Sequence, residues 1–239
     1  MTPATRAGDP NILILEAMVK ALGELSDAMV FIGGCATGLL VTSVQAQPIR
    51  VTEDVDVVVQ VASMREYHAI ESALRQRGFT NGLAEDALIC RWRYGSLRLD
   101  LMPAAAGILG FHNRWHPYAV ESARAVTLPS GASIKLVTAP AFVATKLEAF
   151  KGRGGGDYLV SHDLEDIISI IDGRVSLLDE VRATPDALRK YLAEEIQALA
   201  GIQDFLDALP GHLPGDAASQ AKLPRLIEKI NLLSKIDQS

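Results

Sequence analysis

The chain has 239 residues and a formal net charge of −6 at pH 7, which is length enough to bury a sizeable core in one large or two small domains. The acidic balance excludes a uniformly basic surface, and no apolar run approaches the roughly 20 residues a membrane helix needs. Two cysteines, Cys35 and Cys90, are too few for a disulfide framework and lack zinc-ligand spacing, and "MTPATRAGDP" has no basic-then-apolar leader pattern, so the expected location is the cytoplasm.

In chain order, "NILILEAMVKALGEL" from Asn11 spaces its apolar residues for a helix, and "AMVFIGG" follows as a short buried strand ending in Gly33 and Gly34. "CATGLLVTSVQ" continues as a helix, so both glycines occupy a strand-to-helix turn, where free N–H groups and the helix dipole can hold a phosphate. A valine strand then runs from Asp54 to Val61. Ser63 is placed as the N-cap of an amphipathic helix, "SMREYHAIESALRQRGF", which stops at Gly78. "ALICRWRY" and "SLRLDLMP" flank Gly95 as a hairpin with Asp100 inside its second strand, and "ARAVTLPSGASIKLV" repeats that form around Pro129, Ser130 and Gly131. From Thr138 onward the pattern is helical: "APAFVATKLEAFK", "SHDLEDIISIID", "TPDALRKYLAEEIQALAGIQDFLDAL" and a last helix near Lys222 to Ile236, with "KGRGGGD" as a flexible connector. The expected fold class is α+β, with a mixed sheet and flanking helices over residues 1–137 and a helical bundle over residues 138–239. The net charge hides an asymmetry, because the stretch from Leu88 to Arg153 carries nine basic residues against three acids.

Within "RVTEDVDVVV", residues two apart on a strand share a face, so Asp54 and Asp56 point one way while Val55 points into the core. Two acids on one face of a buried strand repel each other unless something compensates their charge. A divalent cation does so, since Mg²⁺ is held by a few carboxylates together with water and substrate phosphates, and Asp100 offers a third acid from another strand. Two acids on one strand, one on a second and a Gly-Gly turn upstream are the parts of a two-metal nucleotidyl-transfer site. Other features have plainer readings. "HNRWH" sets His112 and His116 at i, i+4 but lacks the adjacent glutamate of a metalloprotease, so these imidazoles and Trp115 read as packing or substrate-touching groups. "GRGGGD" lacks the Gly-Lys-Ser/Thr ending of a phosphate-binding loop, and the Leu188, Tyr191, Leu192, Ile196 and Leu199 stripe is core. Asp163, Glu165 and Asp166 open a helix, where the dipole favours acids in any case.

Taken in order, these residues resemble the nucleotidyltransferase fold of the DNA polymerase beta superfamily, and within it the AbiEii toxins of type IV toxin–antitoxin systems and the related MenT toxins. The likeness rests on "FIGGCATGLL" with Gly33 and Gly34, "RVTEDVDVVV" with Arg50, Thr52, Asp54 and Asp56, "KLEAFKGR" with Lys146 and Arg153, and "SHDLEDII" with Asp163 and Asp166. It spans most of Met29 to Asp172. It implies metal binding by Asp54 and Asp56, with Asp100 as the third carboxylate that binds a metal and helps deprotonate the acceptor. It implies nucleotide contact by Gly33, Gly34, Arg50, Thr52, Lys146 and Arg153, a catalytic or structuring role for Asp163 or Asp166, and a helical part that completes the nucleotide site. The chain departs from the family pattern at Cys35, which follows the glycines in place of a small hydroxyl or other small residue, and at "GGGDYLV", which widens the gap between Lys146 and Asp163.

The implied activity is Mg²⁺-dependent transfer of a nucleotide from an NTP to an acceptor hydroxyl, with Mn²⁺ as an alternative cation. As a toxin, the chain would take RNA, a tRNA end, as acceptor and a cognate antitoxin as partner, and Arg91, Arg93, Arg98 and Arg114 would meet the RNA phosphates. The alternatives are a protein or small-molecule acceptor such as an aminoglycoside, and a non-catalytic partner protein of the same fold.

Overall fold

The computed structural model describes residues 9–81, 89–110, 112–153 and 156–238. Ala87 and Leu88 of the expected hairpin and Gly154 and Gly155 of the connector lie outside the described residues. Contacts divide the chain into two units, Met1–Leu39 with Arg50–Thr138, and Leu40–Ile49 with Ala139–Ser239. The division at 137/138 read from the sequence lacks the Leu40–Ile49 excursion.

In the first unit, α1 (Ile12–Leu22) buries Ile12, Leu15, Met18, Val19 and Leu22 along one stripe. The buried strand β1 (Met29–Ile32) leads through Gly33 into a 3₁₀ turn at Gly34–Ala36 and one helical turn, α2 (Thr37–Leu40). Then come β2 (Asp54–Val59) and α3 (Met64–Gln76), whose N-terminus is capped by Ser63 Oγ accepting from Glu66 N at 3.3 Å. The remaining elements are β3 (Thr80–Asn81), β4 (Arg91–Tyr94), β5 (Leu97–Pro103), α4 (His116–Glu121), β6 (Arg124–Thr127) and β7 (Ser133–Leu136).

The strands form one seven-stranded mixed sheet in the order β3-β4-β5-β2-β1-β7-β6. Both hairpins expected from the sequence are present, β4 with β5 and β6 with β7, and the β2–β5 and β1–β7 pairs are parallel. Register aligns Val55 with Leu99 and Trp92, and Val57 with Phe31 and Leu101. All of these side chains are fully buried, and burying each one contributes about 1.5–3 kcal/mol. The Tyr67 hydroxyl donates to Leu101 O at 2.9 Å and ties α3 to this side of the sheet. Side-chain alternation then sends Asp54, Asp56 and Asp100 to the other face.

In the second unit, α5 (Ala139–Gly152) is buried on nearly every side, the mark of a central helix, and packs against α6 (His162–Gly173), α7 (Leu177–Arg182) and α8 (Asp186–Ala200). α9 (Gln203–Ala208) and α10 (Ala217–Gln220) precede α11 (Leu223–Ser234), which packs on α8 and α6. No helix among the described residues is long and apolar enough to cross a membrane.

Three sequence expectations change. The valine strand ends at Val59 rather than Val61, and the helix read from "TPDAL" to "DAL" breaks at Gly201 into α8 and α9. The helix expected over "CATGLLVTSVQ" stops at Leu40. There β-branched Val41 and Thr42 weaken helix propensity, and Thr42 N and Ser43 N instead donate to Gly173 O at 3.0 and 2.8 Å. Val41 and Ala46 pack against Gly173 closely enough that a Cβ there would lie 2.8 Å from Val41 Cγ1 and 2.9 Å from Ala46 Cβ.

Candidate active site

The acids of the first unit lie in two cross-strand rows. In one, Asp56 on β2 is the direct partner of Asp100 on β5, which is the direct partner of Arg91 on β4. In the other, Asp54 pairs with Arg98, and Arg98 with Arg93. Directly opposed residues share a face, so acids and arginines gather on one side of the sheet.

Arg91 is the hub of this cluster. Its Nε donates to Asp100 Oδ1 at 2.8 Å and its Nη2 to Asp100 Oδ2 at 2.7 Å, a two-pronged grip on one carboxylate. The same Nη2 donates to Asp54 Oδ2 at 2.9 Å. Asp100 is only 7% exposed, and an ionised carboxylate so buried requires a partner of this kind. The pairing pushes the Arg91 pKa upward, chiefly through the hydrogen bond to Asp100. Arg98 lies closest to Glu53, at 2.5 Å, and reaches Asp54 Oδ1 only at 3.5 Å. The neighbouring Cys90 thiol is pushed up to about 11, first by burial and then by Asp100, so it stays protonated and unreactive at neutral pH.

Asp56 meets the glycine turn. Gly33 has φ +72° and ψ −170°, a region open in practice to glycine alone. A Cβ added there would fall 1.8 Å from Asp56 Oδ2, 2.5 Å from its Cγ and 2.7 Å from its Cβ, so the carboxylate occupies the space a side chain would need. Arg50 and Thr52, on the approach to β2, are held through their backbones. Asn11 Nδ2 donates to Arg50 O at 2.8 Å, and Asn11 Oδ1 accepts from Thr52 N at 3.0 Å. Sequence reading gave Asn11 no part in the site. Asparagine before an apolar-periodic run signals an N-cap, yet its side chain makes no cap bond and clips this segment instead.

The second unit holds its own cluster. Asp163 and Asp166, three apart on α6, face one way and are 4% and 3% exposed. Lys146 Nζ on α5 lies 3.1 Å from Asp163 Oδ1 and 2.7 Å from Asp166 Oδ2, and Arg153 Nη1 lies 2.6 Å from Asp163 Oδ2. Both acids left open by the sequence therefore reach Lys146, and Asp163 alone reaches Arg153. Ser161 caps this helix, its Oγ accepting from Leu164 N at 3.4 Å.

Of the arginines put forward for RNA phosphates, Arg91 and Arg98 are engaged by carboxylates, Arg114 lies over the Trp115 ring at 5.7 Å, and Arg93 is exposed. His116 is buried, with Nδ1 3.4 Å from Pro103 O, and burial lowers its pKa to about 4. It is a neutral core imidazole at pH 7.

Among solved structures, the chain is similar to an antigenic nucleotidyltransferase-like protein from Paracoccidioides brasiliensis, at 20% identity and a TM-score of 0.50, over 87% of this chain and 95% of that one. The fold is nucleotidyltransferase-like. A second similar structure is JHP933 from Helicobacter pylori, at 12% identity and a TM-score of 0.46, over 95% of this chain and 91% of that one. No family model matches the chain, and no curated protein matches it.

In a nucleotidyltransferase-like fold the question is whether the acid face fits a divalent cation. Among the described residues no group of three His, Cys, Asp or Glu side chains is gathered to hold a metal by itself. Asp54 and Asp56, half-buried on one face, fit a cation that takes one or two carboxylates and completes its shell with water and phosphate oxygens, as Mg²⁺ does. Both oxygens of Asp100 are already committed to Arg91.

Proposed function

We propose that the chain is an enzyme that transfers a nucleotide from an NTP to an acceptor hydroxyl. The observation that carries this reading is the Asp54–Asp56 face of β2, closed on one side by Gly33, in a nucleotidyltransferase-like fold. Asp54 and Asp56 would hold a divalent cation, which would supply positive charge to offset the triphosphate as the acceptor hydroxyl attacks the α-phosphorus and pyrophosphate leaves. Gly33 leaves room for the Asp56 carboxylate and keeps the turn free of side-chain bulk where the chain meets phosphate. Asn11 fixes the backbone that leads into Asp54. Lys146 and Arg153, buttressed by Asp163 and Asp166, serve the nucleotide by motif resemblance alone. The acceptor is RNA, a tRNA end, and the chain is the toxin of a toxin–antitoxin pair; the ordered motifs shared with AbiEii and MenT proteins support this finer assignment.

The test is incubation with Mg²⁺ and each radiolabelled NTP in turn, with and without total tRNA, with products resolved on a gel. Label on tRNA that disappears in Asp54→Ala and Asp56→Ala is the expected outcome. Label on protein moves the acceptor to a protein hydroxyl, and full activity in either variant refutes the metal role of these acids.

A further inference from the structure

On the acid-bearing face of the sheet, β4 and β5 set Arg93 directly opposite Arg98. Like charges at directly opposed positions destabilise a strand pair unless something answers them. Arg98 is answered by Glu53 at 2.5 Å and, at 3.5 Å, by Asp54. Arg91, two residues before Arg93 and on the same face, is held by Asp100 and Asp54. Arg93 is exposed, and among the described residues no acid pairs with it. Its other direct partner, Thr80 on β3, is exposed as well and adds a hydroxyl to that face. Thr80, Arg93, Arg98 and Asp54 thus form a row from the sheet edge to the acids, with one guanidinium in it left uncompensated.

The sheet order gives this row a direction. The Gly33 turn leaves β1 on one side of β2, whereas β4 lies on the other side, beyond β5. With the NTP phosphates at the glycine turn, the acids stand between the NTP and Arg93, which places Arg93 on the side left to the acceptor. Two strand spacings separate Arg93 from Asp54, about 10 Å. A nucleic acid strand with its end at Asp54 spans that in about three nucleotides, at about 3.4 Å of rise each. A cationic acceptor such as an aminoglycoside would meet a like charge there, whereas a phosphodiester offers oxygens that match the guanidinium fork.

We propose that Arg93, with Thr80 beside it, is a phosphate subsite for a nucleic-acid acceptor, which reaches the acids across β4 from the β3 edge, opposite the glycine turn. The inference rests on the nucleotidyltransferase reading and deepens it, because it selects a phosphodiester acceptor and the side from which that acceptor arrives. Arg91 and Arg98 stay with their carboxylates, and Arg93 supplies the charge that meets the incoming strand.

The experiment follows binding of fluorescently labelled total tRNA to the full chain by anisotropy, without NTP, over a series of salt concentrations. Arg93→Gln is expected to weaken binding about 5-fold or more at low salt and to make the slope of log K against log salt shallower by about 0.7–0.9, the share of one phosphate contact. Arg93→Lys keeps the charge and is expected to retain most of the affinity. Lys20→Gln removes an exposed charge on α1 and is expected to bind as the wild type does. The unfolding midpoint of Arg93→Gln is expected at or above that of the wild type, since the opposition to Arg98 is relieved, and this separates a lost contact from a lost fold. In transfer assays the same variant is expected to raise KM for tRNA and leave KM for the NTP unchanged. Wild-type binding by Arg93→Gln would overturn the subsite, and if label still reaches tRNA the nucleotidyltransferase reading stands without it. Equal weakening by Lys20→Gln, a raised KM for the NTP, or label found only on a protein or small molecule would overturn it too. Binding of tRNA that depends on Arg93, with no label transferred to any acceptor, would support the subsite and remove the enzyme reading.

Discussion

Replacing Gly33 with alanine tests the junction between the glycine turn and the acid face. At φ +72° and ψ −170° the new side chain would hold a backbone conformation that costs about 1–3 kcal/mol outside glycine. Its Cβ would also fall 1.8 Å from Asp56 Oδ2 and 2.7 Å from Asp56 Cβ. Rotating the carboxylate relieves the first contact but not the second, so strand β2 or the turn itself must shift, an overpacking cost of about 1–3 kcal/mol. The sum is at least about 2 and up to about 6 kcal/mol, large against the about 5–15 kcal/mol that stabilise a typical domain. Denaturant unfolding of the full chain, with Gly33→Ala, Asp56→Gly and the double variant, separates the two terms. In the double variant the clash is absent and only the backbone cost remains, so a coupling of about 1–3 kcal/mol is expected. A Gly33→Ala chain within about 0.5 kcal/mol of wild type, with nucleotide transfer intact, would refute the close approach of Asp56.

Other perturbations give separate readouts. Lys146→Met removes the ammonium that two buried acids share and is expected to cost about 3–5 kcal/mol, partly recovered when Asp166→Asn is added, as measured by thermal or denaturant unfolding. Asn11→Ala removes both clip bonds and leaves Thr52 N without its partner, at a cost of about 1–3 kcal/mol; faster amide exchange at Thr52 is the local check. Gly173→Ala gains up to about 1 kcal/mol of helix propensity but crowds Val41 and Ala46, and a net loss of stability is expected. His116 has a folded pKa of about 4 against an ordinary value of 6.5, so the unfolded chain binds the extra proton between those values. Its contribution is fully present above about pH 6.5 and lost as pH falls toward 4, by up to about 3 kcal/mol, and His116→Gln should flatten that part of the stability profile.

Local pattern carried much of the fold. Both hairpins, the Ser63-capped helix and the shared face of Asp54 and Asp56 are written in spacings of two to four residues, which a single sequence displays. What stayed hidden depends on register. Arg91 reads as one basic residue among several until β4, β5 and β2 are aligned, and only then does it stand between Asp100 and Asp54. Asn11 carries the right signal for a cap and spends its amide 39 and 41 residues away. The premature end of α2 has the same origin, because the carbonyl that captures Thr42 and Ser43 belongs to Gly173, beyond any local window. The α6 acids are legible as helix openers, while their convergence on Lys146 of α5, 17 and 20 residues away in sequence, requires the packing of the two helices.

The Leu40–Ile49 excursion makes the two units topologically inseparable by a single cut. The polypeptide passes from one to the other after Leu39, returns after Ile49 and leaves again after Thr138. A fragment beginning at Ala139 would therefore lack the strand of backbone that feeds Gly173 O and covers it with Val41 and Ala46. During synthesis those ten residues emerge well before the helices they serve, and must wait for α6 before their hydrogen bonds can close. A fusion or domain exchange that respects this protein has to move the segment together with the helices, or graft its equivalent onto them.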